Sequence, residues 1–161
     1  GPAGTTLVII NKEILGKTNR DIPTMLDYQT HISKDSMFNT PPVFSIYVSM
    51  LTLEWLQNNG GVEEIEKINN NKAKILYEEI DRNPLFIGFA EKEDRSTMNV
   101  TFNLVNQDLQ EKFDLLCNNN GINGLKGHRS VGGYRASLYN ALPLSSVEHL
   151  INLMQKFEKE I

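Results

Sequence analysis

A short apolar run near the start of the chain places the strongest constraint on its fold. Residues 5–10 read Thr-Thr-Leu-Val-Ile-Ile, a nearly continuous apolar stretch rich in β-branched side chains. This pattern is typical of a strand that is buried on both faces, and such a strand needs neighbours on either side. No other strand-like segment occurs before residue 85. We therefore expect the run to belong to an α/β sheet that is larger than this chain can build alone.

Composition and charge narrow the functional class. The 161 residues are 40% hydrophobic, enough for one good core or roughly one and a half domains. A net charge of −4 argues against a nucleic-acid-binding protein, which is usually basic on one face. No apolar run approaches the length of a membrane helix. The single cysteine, Cys117, cannot form an internal disulfide. We expect a cytoplasmic protein with neither a membrane nor a nucleic-acid partner.

Cys117 lies within a helical pattern, so we expect it to be a small buried hydrophobe. His31 and His149 are expected to be structural or solvated. No metal-ligand spacing joins any histidine to Cys117, so the sequence predicts no metal site.

A polar stretch and then an apolar helix follow the first run. Residues 17–39 are irregular, and a loop of this length is uncommon unless it is functional or disordered. We interpret it as an arm over an active site, or as a disordered segment if its partners are absent. Thr40 is the predicted N-cap of a helix that continues through Leu56. Because this helix is apolar on nearly all sides, we expect it to be buried or to lie at a subunit interface.

The rest of the chain predicts a compact unit of strands and helices. The segment 62–82 predicts an amphipathic helix whose charged side chains, including Lys72 and Glu79, form a solvated face. Ser145 and Glu148 predict a capping box for the last helix. The other predicted elements are strands at 85–89, 97–104, 122–125 and 135–139 and a helix at 107–118. Together they form a ββαββα unit, with helices on one face of a sheet.

Residues 121–135 combine glycines with basic side chains. Five of the 11 glycines fall in this stretch, together with His128, Arg129 and Arg135. Glycine allows backbone N–H groups to turn toward an anion, and a guanidinium group matches pairs of carboxylate or phosphate oxygens. The stretch predicts a site for a small anion that can carry two anionic ends. Composition alone leaves open a flexible surface loop with solvated arginines.

The flanks of this loop resemble a known family. Residues 127–144, which begin Gly-His-Arg-Ser-Val-Gly-Gly-Tyr-Arg, are similar to the C-terminal signature of phosphoserine aminotransferases. These are pyridoxal-phosphate enzymes with the aspartate-aminotransferase fold. The blocks Ser-Met-Phe-Asn-Thr-Pro-Pro at 36–42 and Arg-Ser-Thr-Met-Asn-Val at 95–100 agree in the same order. The start, Gly-Pro-Ala-Gly, is similar to the segment that follows the family's cofactor lysine.

The resemblance covers all 161 residues and implies an α/β fold with a small α+β domain. It implies the C-terminal part of a fold-type I, class V transferase. Residues 1–66 would end the large cofactor-binding domain, with its strand, arm and interface helix. Residues 67–161 would form the small α/β sandwich domain. The Schiff-base lysine is expected just upstream of Gly1, so the chain would hold no catalytic residue and would be inactive alone.

The resemblance also implies the roles of individual residues. Asn39 and Thr40 would hold the phosphate of pyridoxal phosphate across the interface of a homodimer. Arg135 would bind the α-carboxylate of the substrate. His128 and Arg129 would contact the phosphate of phosphoserine or the distal carboxylate of glutamate.

The implied reaction transfers an amino group from glutamate to 3-phosphohydroxypyruvate and yields phosphoserine for serine biosynthesis. Two alternatives stay open at this point. The chain could be a stand-alone anion-binding or regulatory α/β module that is never catalytic. It could also come from a related pyridoxal-phosphate transaminase that uses another substrate.

Overall fold

A computed structural model describes residues 1–127 and 132–161. The chain forms two compact units, Gly1–Asn58 and Asn59–Ile161, which are described separately. The domain boundary predicted between residues 66 and 67 refers to the domains of a whole enzyme and stays a prediction. Within the described ranges, no helix is both long enough and apolar enough to cross a membrane.

The first unit contains helices and irregular segments. Its elements are short 3-10 helices at Lys12–Ile14 and Thr24–Leu26, helix α1 at Tyr28–Ile32 and helix α2 at Val43–Asn58. The run 5–10 forms no strand, and its Leu7 and Ile9 side chains are 86% and 91% exposed. The prediction of a buried strand is therefore wrong for the chain as described. A strand needs a neighbour to pair its N–H and C=O groups, and nothing in the described ranges pairs with this run.

Helix α2 begins later than predicted. The Ile46 N–H donates to the Pro42 carbonyl at 3.1 Å, so Pro42 holds the cap position and the prediction of Thr40 as N-cap is wrong. A residue before proline disfavours helical backbone, so the pair Pro41-Pro42 delays the helix to Val43. No residue of α2 is buried within the chain, and the Phe44 side chain is 74% exposed. A helix with apolar residues on all sides is normally covered, so the expected interface at α2 stays a prediction.

The second unit packs helices on one face of a small sheet. Its elements are α3 at Gly61–Arg82, β1 at Phe86–Gly88, β2 at Asn99–Leu104, α4 at Gln110–Asn119, β3 at Tyr134–Ser137 and α5 at Leu144–Glu160. The strands are antiparallel in the order β1-β2-β3. The strand predicted at 122–125 does not form, and a single bridge joins Lys126 to Tyr134 instead. The predicted α+β character of this unit is confirmed.

Alternation along the strands divides the sheet into a buried and an open face. In β2, Val100, Phe102 and Leu104 are buried while the residues between them are half-buried. The core is completed by residues of all three helices, among them Leu76, Ile80, Phe113, Cys117, Met154 and Phe157. Tyr134 of β3 stacks on Phe102 with ring centroids 5.2 Å apart. Tyr134 is therefore a packing residue of the core.

Cys117 is buried, as predicted. Burial, with a smaller contribution from Asp114, raises the pKa of its thiol to about 11. The group is therefore protonated and inert at neutral pH.

Lys72 and Glu79 are buried, so their predicted assignment to a solvated face is wrong. The Lys72 ammonium donates to three backbone carbonyl oxygens, those of Leu138, Tyr139 and Leu142, at 2.9–3.2 Å. Glu79 accepts hydrogen bonds from three side chains, those of Arg82, Asn83 and Gln155. Charged groups can be buried when such partners satisfy them. The carbonyls that Lys72 binds and the Gln155 side chain come from distant segments, which helical periodicity does not reveal.

The start of α5 also differs from the prediction. The helix begins at Leu144, and Pro143 occupies the cap position with extended backbone. The prediction of a capping box at Ser145 and Glu148 is therefore wrong, because the cap lies two residues earlier. Proline has a fixed φ and no N–H to satisfy, so the helix can begin directly after it.

Candidate functional site

The glycine-rich stretch forms the neck of a hairpin. The Gly127 N–H donates to the Gly133 carbonyl at 2.8 Å, and the Arg135 N–H donates to the Leu125 carbonyl at 2.7 Å. Residues 125–127 therefore run antiparallel to residues 133–135. His128 and Arg129 lie between these segments, outside the described residues, so their predicted role stays a prediction.

Two glycines are required where the neck approaches its surroundings. A Cβ atom on Gly127 would collide with the Gly132 carbonyl oxygen. A Cβ atom on Gly133, whose φ is +63°, would collide with Asn103 Oδ1 and crowd the Phe102 carbonyl. Only glycine lacks a side chain at both positions, and at Gly133 it also tolerates the left-handed backbone. The neck is thus held closely against β2.

Arg135 lies on the open face of the sheet. Its neighbours in β3, Tyr134 and Ala136, point into the core, whereas Arg135 is exposed and lies opposite Thr101 in the register. Within the described ranges, its guanidinium has no hydrogen-bond or ion-pair partner. A cavity of about 160 Å³ beside it is also lined by Thr101 and Asn103. An unpaired guanidinium at a cavity is a suitable ligand for a carboxylate.

Lys126 does not add free positive charge to the hairpin. Its ammonium lies 2.9 Å from Asp114 Oδ2, and this carboxylate raises the pKa of Lys126. Asp114 Oδ1 also accepts a hydrogen bond from the Tyr134 hydroxyl at 3.0 Å. The pKa of that hydroxyl is raised, first by burial and then by Asp114. Asp114 therefore fastens the neck of the hairpin to α4.

Asn39 and Thr40, called here the donor pair, lie just ahead of α2. Both are exposed, and neither side chain has a hydrogen-bond partner within the described ranges. The first N–H groups of a helix lack acceptors within it, and the helix dipole favours negative charge at this end. Amide, hydroxyl and backbone donors together suit a phosphate group. The residues present thus fit the phosphate end of pyridoxal phosphate.

The structure places the predicted site residues in both compact units. The donor pair belongs to the first unit and Arg135 to the second. In the described part of the chain, no cluster of histidine, cysteine and acidic residues could hold a metal ion.

Sequence reasoning missed two residues that shape the site. The Asn103 side chain lies where a Cβ atom on Gly133 would be. The Asp114 carboxylate binds both the Lys126 ammonium and the Tyr134 hydroxyl. The alternation in β2 could have placed Asn103 on the polar face of the sheet. The position of Asp114 within the predicted helix 107–118 gave no such signal, because its partners Lys126 and Tyr134 lie outside that helix.

Arg95, within the second block of the family resemblance, has a structural role. Its guanidinium donates to both oxygens of Asp81, at 2.9 and 2.7 Å, and lies 4.5 Å above the Tyr77 ring. The ion pair raises the pKa of Arg95 and lowers that of Asp81. This contact fastens the connection between β1 and β2 to α3.

A larger cleft of about 410 Å³ lies between residues 121–125, β3 and the start of α5. The polar groups there include His149, whose Nε2 lies 2.9 Å from the Asn120 carbonyl and is thus already engaged. Arg135 lines both cavities, but the smaller one is also lined by Gly127 and Gly132 of the hairpin neck, so it is the better candidate.

Comparison with known proteins identifies the class. The family model of class V aminotransferases matches residues 1–150. The chain belongs to the class V aminotransferase family.

The most similar relatives include phosphoserine aminotransferases. The one from Flavobacterium psychrophilum is 64% identical over 161 residues, which cover all of this chain and 45% of the relative. The chain thus spans less than half the length of the curated relatives that it matches. A solved phosphoserine aminotransferase, studied for radiation damage of its Schiff base, is 48% identical with a TM-score of 0.86. That match covers 93% of this chain and 42% of the solved one.

A phosphoserine aminotransferase from Trichomonas vaginalis, solved with pyridoxal phosphate bound, is 38% identical with a TM-score of 0.76. The match covers 83% of this chain and 39% of the solved chain. These similarities confirm the family resemblance and the fold class expected from the sequence.

Proposed function

We propose that this chain is part of a pyridoxal-phosphate-dependent phosphoserine transaminase. The complete polypeptide transfers an amino group between glutamate and 3-phosphohydroxypyruvate and so supplies phosphoserine for serine biosynthesis. The observation that carries this proposal is the 64% identity to a phosphoserine aminotransferase along the whole chain. The unpaired guanidinium of Arg135 beside the hairpin neck supports it independently.

The donor pair binds the phosphate end of the cofactor. Asn39 donates through its amide and Thr40 through its hydroxyl, and the start of α2 adds backbone N–H groups. When bound, pyridoxal phosphate supplies the electron sink that amino-group transfer requires. The family resemblance implies that the lysine that carries the cofactor lies upstream of Gly1, and we expect no activity from these 161 residues alone.

Arg135 binds the α-carboxylate that both amino-acid substrates share. Its planar guanidinium can bind two carboxylate oxygens at once, which fixes the direction of the substrate. His128 and Arg129 bind the other anionic end. This arrangement selects substrates with two anionic ends over alanine-like amino acids.

Helix α2 lies at the interface of a homodimer, and the enzyme works in the cytoplasm. The apolar surface of α2 on all sides supports the first statement, because such a surface is normally covered. It also argues against a stand-alone anion-binding module, which would have to expose this helix.

Steady-state turnover of the complete polypeptide tests the proposal. We expect amino transfer from glutamate to 3-phosphohydroxypyruvate to have a kcat/KM at least about a hundredfold above that with pyruvate, given the loss of one bound anionic end. The 161-residue chain assayed alone is the control and should show no turnover. Equal rates with pyruvate would favour a transaminase of another substrate. No turnover by the complete polypeptide with any oxo acid would contradict the proposal.

A further inference from the structure

His31 joins three separate parts of the arm that precedes the donor pair. Its Nε2 lies 3.0 Å from the carbonyl oxygen of Met25. Because a carbonyl can only accept, this nitrogen carries the hydrogen. The backbone carbonyl of His31 accepts the Ser36 N–H at 2.9 Å. Its ring meets that of Phe38 edge-on, with centroids 6.4 Å apart and planes at 80°.

The bond to Ser36 closes a tight reversal after α1. Asp35 and Ser36 both have left-handed backbone, with φ of 48° and 63°. The Asp35 N–H donates to the Ile32 carbonyl at 3.3 Å, and the Ser36 N–H to that of His31. This pair of bonds closes the end of a helix. Side chains other than glycine adopt such backbone only where surrounding contacts enforce it, so the His31 carbonyl helps to direct the chain toward the donor pair.

The ring contact of His31 involves a residue next to the donor pair. Phe38 directly precedes Asn39, and within the described ranges its aromatic contact is with His31. The bond to Ser36 is made by the backbone and would persist with any side chain at position 31. The side chain of His31 itself links the Met25 carbonyl to the Phe38 ring. The position of the segment 36–38 sets where the Asn39 amide and the Thr40 hydroxyl lie.

We propose that His31 is a positioning residue for the donor pair. It holds the arm so that Asn39 and Thr40 present their donors to the cofactor phosphate, and it does not contact the cofactor itself. The inference rests on the proposed function, since it requires the donor pair to bind that phosphate.

Cofactor affinity in the complete polypeptide tests this role. The apoenzyme is titrated with pyridoxal phosphate, and binding is followed by cofactor absorbance. We expect His31→Ala to raise the apparent Kd about five- to tenfold, the range of a typical coupling between neighbouring groups. At saturating cofactor, kcat should stay within about twofold, because His31 contacts no reacting atom. His31→Gln, which keeps a donor, and His31→Phe, which keeps a ring, should each restore part of the affinity.

His149 provides the matched control, because its Nε2 also lies against a backbone carbonyl, that of Asn120, at 2.9 Å. His149 belongs to the other compact unit, so His149→Ala should leave the Kd for the cofactor unchanged. Asn39→Ala separates the two claims. If Asn39→Ala weakens cofactor binding and His31→Ala does not, even with a lower Tm, the positioning role is overturned. If Asn39→Ala binds the cofactor as tightly as the wild type, the proposed phosphate site is itself wrong.

Discussion

Arg135 lies opposite Thr101 in the antiparallel register of β2 and β3, on the sheet face that points away from the core. Within the described ranges the guanidinium has no carboxylate partner, in contrast to that of Arg95, which is paired with Asp81 at 2.7 Å. The two arginines thus lie in different environments, although both lie within blocks of the family resemblance. Arg95 is paired within the fold, whereas Arg135 has no such partner within the described ranges.

The first prediction concerns this unpaired guanidinium. Arg135→Ala in the complete polypeptide should raise KM for glutamate and for phosphoserine alike, because both carry the α-carboxylate. Loss of a charge-assisted, two-point contact corresponds to about 3 kcal/mol, roughly a hundredfold. Arg135→Lys should recover only part of the substrate affinity that Arg135→Ala loses, because an ammonium lacks the planar fork of a guanidinium. Steady-state kinetics with each substrate measures the effect.

Lys156→Ala is the control for the loss of one positive charge, since Lys156 is exposed and pairs only loosely with Glu160 at 3.8 Å. It should change neither KM. A rise in KM for only one substrate after Arg135→Ala would contradict the assignment to the shared carboxylate.

The second prediction concerns the neck of the hairpin. Gly133→Ala should destabilise the protein and raise KM for phosphoserine, because the new Cβ would displace Asn103 or the neck itself. Gly132→Ala is a matched control: Gly132 also has positive φ, +76°, but its Cβ would meet no atom of the described residues within 4 Å. Gly132→Ala should therefore cost only the left-handed backbone penalty, about 1–2 kcal/mol. Thermal unfolding and kinetics of both variants measure the difference, and equal losses would show that the contact with Asn103 is unimportant.

The third prediction concerns the pH dependence of stability. Burial raises the pKa of Glu79, but hydrogen bonds from Arg82, Gln155 and Asn83 outweigh it, so the pKa is lowered overall. A carboxylate with a lowered folded-state pKa stabilises the fold above its unfolded pKa, near about 4.3. That stability is lost as the pH falls through the folded-state value. The Tm of the wild type should therefore fall more steeply below about pH 4.3 than that of Glu79→Gln.

Glu78→Gln is the control, because Glu78 is exposed and lies 3.9 Å from Lys74. This variant should follow the wild-type curve of Tm against pH. Parallel curves for the wild type and Glu79→Gln would contradict the stabilising role of the buried carboxylate.

Local pattern predicted much of the second unit. The apolar stripe of 62–82 predicted α3 with its start one residue late. The alternation of 97–104 predicted β2 and its buried face. The burial of Lys72 and Glu79 was not predictable, since Lys72 donates to carbonyls at 138–142 and Glu79 accepts a hydrogen bond from Gln155 of α5. Helical periodicity reports which positions share a face, but it does not report which distant polar groups will meet them.

The predicted roles of the site residues stay predictions, but the sequence did indicate where some of them lie. Arg135 is exposed on the sheet, and the donor pair lies just ahead of an apolar helix, as expected. The charge of Lys126 is paired with Asp114, a contact between separate elements that composition could not show. The start of α2 was misplaced because the effect of two consecutive prolines outweighs the capping preference of Thr40.

The most direct test of the central claim is a titration of the cofactor-loaded complete polypeptide with phosphoserine, followed by cofactor absorbance. We predict a saturable spectral change with phosphoserine and with glutamate, and none with serine at the same concentrations. Serine has the α-carboxylate but lacks the second anionic end, so it isolates the selectivity of the site. A response to glutamate and serine without one to phosphoserine, or a polypeptide that binds no cofactor, would contradict the account.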